Sequence, residues 1–89
     1  MIKSSITISN KLGLHARASA KLTKLAGTFR SEIHLARAGR RINAKSIMGV
    51  MMLAAGLGAE VEIETDGPDE LEAMAALREL VDAKFGEGQ

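Results

Sequence analysis

The chain opens with alternation. Ile2, Ile6 and Ile8 fall on one side of an extended segment, and Lys3, Ser5 and Thr7 on the other. That is the period of a strand with one buried face. From residue 16 the spacing changes: Ala18, Leu22, Leu25 and Ala26 recur as one face of a helix over 16–27, Gly27 marks its end, and Phe29 continues the stripe just beyond. Alternation returns in "SEIHLAR", where Ile33 and Leu35 oppose Glu32 and His34, and "AGR" turns the chain into "RINA", so 31–44 reads as a hairpin. Ser46 is a good N-cap for "IMGVMML", a short helix over 47–53 that is apolar nearly all round, and "AGLGA" breaks it. "AEVEIET" sets Ala59, Val61 and Ile63 against Glu60, Glu62 and Glu64, which read as a solvated strand face.

The longest helix follows in "DGPDELEAMAALRELVDAKFG". Pro68 suits its first turn, Asp69, Glu70 and Glu72 favour its N-terminal dipole end, and Gly86 stops it. Its stripe is Leu71, Met74, Leu77, Val81 and Phe85. The order β-α-β-β-α-β-α, with every strand two-faced, predicts an α+β open-faced β-sandwich: a mainly antiparallel four-stranded sheet with three helices on one face. Strand order does not follow from periodicity. The 89 residues make one domain, 1–89, with 86–89 a flexible tail.

Composition narrows the chemistry. With 2% aromatics, aliphatic residues and methionine must fill the core. There is no cysteine, and His15 and His34 are the only histidines, which argues against a metal site. The N-terminus lacks the apolar core of a signal peptide, and no run suffices for membrane insertion, so a cytoplasmic protein is expected. Charge is uneven: residues 1–58 carry +9 and residues 59–89 carry −8. Either the charges mix in the fold, or a basic face containing His15 meets an acidic protein partner. With no Tyr or Trp, no stacking platform for nucleic acid is visible.

His15 carries the chemical interest. It stands where a helix begins, and helix N-termini offer free N–H groups and partial positive charge to anions such as phosphate. A neutral imidazole nitrogen is a nucleophile. A phosphoryl group on it would lie against the amides of Ala16 and Arg17, within reach of the Arg17 guanidinium. Phosphoryl transfer needs mainly positioning and charge stabilisation. The competing reading makes His15 a helix cap in a non-catalytic interaction module that docks through helix 47–53 and the basic face. A true enzyme is disfavoured, since no nucleotide-type glycine loop is present and so small a chain has little room for a deep pocket.

"GLHARASAKL" resembles the phosphorylation motif of HPr, the histidine-containing phosphocarrier family of the bacterial phosphoenolpyruvate-dependent phosphotransferase system, and "AKSIMGVMMLAAGLGAEVEI" resembles that family's second signature. The likeness covers residues 2–85 and includes the order of elements. It implies a carrier, not an enzyme, with no cofactor. His15 would be phosphorylated on Nδ1 by enzyme I, Arg17 would hold the phosphoryl group, and an enzyme IIA of a sugar or nitrogen-related branch would receive it. Ser46 would be modified by an HPr kinase/phosphorylase. Ile47, Met48, Met51 and Met52, with Lys21, Lys24 and Lys45, would form the partner-binding surface. A shuttle of this kind is most simply a monomer. Ala18 stands where the family often has proline; alanine is the better helix former, so little loss is expected.

Overall fold

The computed structural model describes residues 1–87. The strands are β1 (Ile2–Thr7), β2 (Glu32–Arg37), β3 (Arg40–Asn43) and β4 (Glu60–Asp66). The α-helices are α1 (Ala16–Gly27), α2 (Ile47–Met52) and α3 (Glu70–Asp82), and a short left-handed turn, Lys84–Gly86, follows α3. All pairings are antiparallel, in the order β1-β4-β2-β3. The expected open-faced α+β fold is what forms.

Register explains the two faces. Ile6 lies opposite Val61, and Leu35 lies opposite both Ile63 and Ile42. These aliphatic side chains meet Ala18, Leu22 and Ala26 of α1, Val50 of α2, and Ala73, Leu77 and Val81 of α3 in one core. The other face carries Lys3, Glu62, His34 and Arg41. Packing helices on one side only lets each strand keep its alternation.

Three local expectations need correction. Leu71 is 70% exposed, and Ala73 occupies the buried position instead. The buried arc of α3 runs through Ala73, Leu77 and Val81, and a residue two places before Ala73 lies roughly 200° round the helix from it. Pro68 precedes α3, whose N-cap is Asp69. Glu64 is buried, not solvated. Its strand is central, with Lys3 and His34 opposite it on either side, and Arg41 covers it with Nε donating at 2.9 Å. That hydrogen bond, opposed by burial, holds the Glu64 carboxyl below its usual range.

Asp69 makes no side-chain cap to α3. Its carboxylate crosses to the α1–β2 connection, where it accepts from the Arg30 N–H at 2.8 Å, the Ser31 N–H at 2.9 Å and the Ser31 hydroxyl at 2.5 Å. The Ser31 hydroxyl and these backbone donors lower its pKa from 3.8 to about 2. A carboxyl depressed on folding stabilises the fold above its unfolded value, and the effect is lost as pH falls through the folded one. Thermal stability will therefore decline between about pH 4 and pH 2, with a shallower decline in Asp69→Asn when melting is followed by circular dichroism.

The hairpin turn is strained. Only Ala38 and Gly39 separate the paired Arg37 and Arg40, with φ of +51° and +81°. Both central residues of this hairpin turn are left-handed, a conformation that favours Asn-Gly and costs alanine roughly 1–2 kcal/mol. Ala38 is exposed, so nothing else opposes replacement. Ala38→Asn will stabilise the fold by about 1 kcal/mol and raise Tm by roughly 4–8 °C in a thermal melt.

Candidate functional site

His15 is set by the segment before it. Asn10–Gly13 forms a turn, with the Gly13 N–H donating to the Asn10 carbonyl at 3.2 Å. Gly13 has φ +64°, and a Cβ there would lie 2.4 Å from the Ala55 carbonyl oxygen and 2.6 Å from Gly56 Cα. Only glycine permits that approach. The Leu14 N–H then donates to the Ala55 carbonyl at 2.8 Å, tying the entrance of α1 to the exit of α2. Leu14 is buried, and the buried Ser19 hydroxyl donates to the Leu14 carbonyl at 3.0 Å. Residue 15 consequently faces outward at the first turn of α1.

At that position His15 has extended backbone, φ −75° and ψ 179°, and its side chain makes no cap hydrogen bond. The first N–H groups of α1, those of Ala16 and Arg17 among them, have no acceptor within the helix. No acidic residue lies in that first turn. The side chain is 26% exposed and joins Lys11, Leu12, Ala16, Arg17, Gly86 and Glu87 in lining an open cleft of about 790 Å³. Arg17 is exposed and makes no side-chain hydrogen bond among the described residues.

The other end of the chain comes to the same place. The Glu87 carboxylate is paired with His15 Nε2, and its other oxygen accepts from Asn10 Nδ2 at 3.0 Å. Burial pushes the Glu87 carboxyl up, but the bonds from Asn10 and His15 and the charges of His15 and Lys21 outweigh it, and the net shift is downward. Of the tail expected to be loose, Gly88 and Gln89 lie outside the described residues, whereas Gly86 and Glu87 line the cleft. Glu87 was not legible as a site residue, since 72 positions separate it from His15 and no motif marks it.

Ser46 lies on a different element. It is exposed at the start of α2, where its hydroxyl accepts from the Gly49 N–H at 3.2 Å. Beside it Met48 is 69% and Met52 57% exposed, with Ile47 and Met51 less so. Leu12 and Leu57, absent from the sequence-based surface, are also exposed and flank the contact of Gly13 with Gly56. Two of the three lysines assigned to that surface have internal work: Lys21 donates to the Phe85 carbonyl at 2.7 Å, and Lys45 to the Phe29 carbonyl at 2.9 Å. Arg37 and Arg40, from the hairpin, donate to the Leu53 and Met52 carbonyls at the end of α2. His34 lies on the open sheet face, and no group of three metal-ligating side chains occurs among the described residues.

A small open-faced antiparallel sandwich with a partly exposed histidine at a helix start is the class of domain that the fold and site define. A match over residues 2–83 to the family described as "PTS HPr component phosphorylation site" makes this specific: the chain belongs to the HPr family of phosphocarrier proteins. It is 64% identical over 89 residues to phosphocarrier protein HPr of Cupriavidus necator, covering 100% of both chains. Among solved structures it is similar to HPr-C-His from Thermoanaerobacter tengcongensis, with a TM-score of 0.95, 44% identity and 98% of each chain covered. It also resembles an HPr dimer from that organism, at a TM-score of 0.79 and 44% identity, covering 98% of this chain and 100% of that one. No helix among the described residues is long and apolar enough to cross a membrane.

The close approach at Gly13 is testable. Gly13→Ala introduces both a left-handed alanine, costing roughly 1–2 kcal/mol, and a backbone clash. Its Tm will fall by at least 4–8 °C, roughly, in a calorimetric scan.

Proposed function

We propose that His15 is the phosphoryl-carrying residue: Nδ1 accepts the group from phospho-enzyme I, which draws on phosphoenolpyruvate, and yields it to an enzyme IIA. One observation carries the reading. The His15 side chain does not cap the helix it begins and is paired only through Nε2, so Nδ1 and the free amides behind it are both left for an incoming phosphoryl group. Membership of the HPr family supports the same chemistry. Arg17, exposed and without a hydrogen bond among the described residues, can swing to pair with phosphoryl oxygens through its forked N–H groups. Incubation with enzyme I and labelled phosphoenolpyruvate will give acid-labile, alkali-stable label that His15→Ala abolishes. No incorporation into the wild-type chain would leave the interaction-module reading.

The docking surface is the apolar cluster of Ile47, Met48, Met51 and Met52, extended by Leu12 and Leu57. Exposed methionines adapt to differently shaped partners, which suits a carrier that visits a donor and several acceptors in turn. Lys24 contributes charge, and Lys21 and Lys45 do so while bonded to backbone carbonyls. The carrier works as a monomer in the cytoplasm.

Ser46 is the regulatory position, modified by an HPr kinase/phosphorylase. Its exposed hydroxyl stands beside the apolar cluster, so a phosphate would add about −1.5 to −2 charge within the docking surface. The helix N-terminus tolerates that charge, so the fold survives and association suffers. Ser46→Asp will keep a wild-type Tm within a few degrees but accept phosphate from enzyme I more slowly. A wild-type rate in that variant would remove the regulatory role.

A further inference from the structure

We propose that Glu87 is a positioning residue for His15, one that holds the imidazole as the Nε2–H tautomer and leaves Nδ1 bare for the phosphoryl group. This rests on the carrier reading given above and adds a residue to it. The geometry forms a chain of three side chains. Asn10 is fully buried, and its Nδ2 donates both to the Gly13 carbonyl at 2.8 Å and to Glu87 Oε1 at 3.0 Å. Both partners are acceptors, so the amide must present its NH₂ group to them. The other Glu87 oxygen meets His15 Nε2. A carboxylate only accepts, so whenever the ring is neutral it must donate from Nε2, and its lone pair is then on Nδ1. No described residue hydrogen-bonds to Nδ1.

The backbone is bent to make this contact. Lys84 and Phe85 have φ of +56° each and Gly86 has +76°, three left-handed residues in succession. Phe85 is buried and its carbonyl is held by Lys21 Nζ, so the turn is anchored on both sides of its peptide. Left-handed backbone at two non-glycine residues persists only where the surroundings enforce it. Its effect is to return residue 87 to the mouth of α1.

The pairing also keeps the protons still. As the group is accepted, the Nδ1 lone pair forms the N–P bond while the donor's bond to phosphorus breaks and its electrons leave with the donor. The Nε2 proton stays, and Glu87 balances the positive charge the ring acquires. On delivery the N–P electrons return to Nδ1, and the starting tautomer is restored without a proton being moved. The carboxylate sits at the opposite ring nitrogen from the phosphoryl group, and Lys11 and Arg17 line the cleft on the phosphoryl group's behalf.

The test uses the full chain, its Glu87→Ala and Glu87→Gln variants, and phosphoramidate, whose P–N bond breaks to release ammonia protonated by water. Proton NMR of the unphosphorylated wild type will show a downfield, slowly exchanging imidazole Nε2–H signal. Glu87→Ala will lose it and take up phosphate roughly three- to tenfold more slowly. Glu87→Gln, which keeps an acceptor without its charge, will retain the signal further upfield and react at an intermediate rate. A merely structural tail would change Tm and leave the signal untouched. Absence of the signal from the wild type, or labelling of Glu87→Ala at the wild-type rate, would overturn the proposal while leaving the carrier reading intact. A wild type that shows the signal but takes no phosphate on His15 would overturn both.

Discussion

The whole site depends on how closely two backbones can pass. Where Gly13 runs beside Ala55 and Gly56, there is no room for a side chain at position 13. That approach lets Leu14 bond to the Ala55 carbonyl, and it fixes the first turn of α1 against the end of α2. A half-buried imidazole and an exposed apolar cluster thereby sit on the two elements so joined. In the proposed carrier role the imidazole would supply the chemistry, and the cluster would give a partner something to hold.

The sheet supplies rigidity at little cost in surface chemistry. Its helix-facing side is aliphatic and continuous with the core. Its open side carries alternating charge, with Lys3, Glu64 and His34 in one row and Arg41 laid over Glu64. The acidic residues of β4 therefore share the open face with basic ones, and with Arg41 on Glu64 and His15 on Glu87 the uneven charge along the chain is partly mixed in the fold. Arg37 and Arg40 extend the same scaffold to α2, whose last carbonyls they satisfy. A six-residue helix has little stability of its own, so such outside donors matter to it.

The cleft at His15 brings together groups that suit the proposed phosphoryl transfer. Free amides at a helix start, an arginine with no hydrogen bond among the described residues, and a histidine paired through Nε2 lie together at one cleft. Phosphoryl transfer gains mainly from positioning and from charge placed in advance. A carrier must also release its cargo, and an open cleft with solvent-exposed cations would suit a phosphate held without being trapped.

Much of this was present in the order of residues. Alternation at Ile6 and Ile8, at Ile33 and Leu35, and at Val61 and Ile63 announced strands, because a strand's faces repeat every second residue. The α1 stripe, the Ser46 cap and the histidine at a helix start were equally legible, since each is a matter of near neighbours. What could not be read there was anything set by distant segments meeting. Glu64 looks identical to Glu60 and Glu62 until β4 is placed in the middle of the sheet under Arg41. Leu71 belongs to a plausible stripe until the sheet selects the face through Ala73. Asp69 looks like a cap until Ser31 and Arg30 claim its carboxylate. Glu87 becomes part of the site only because a left-handed turn after α3 carries it back to His15. Local periodicity and local hydrogen bonding are properties of the sequence; which face is buried, which charge is paired and which end of the chain returns are decided by packing.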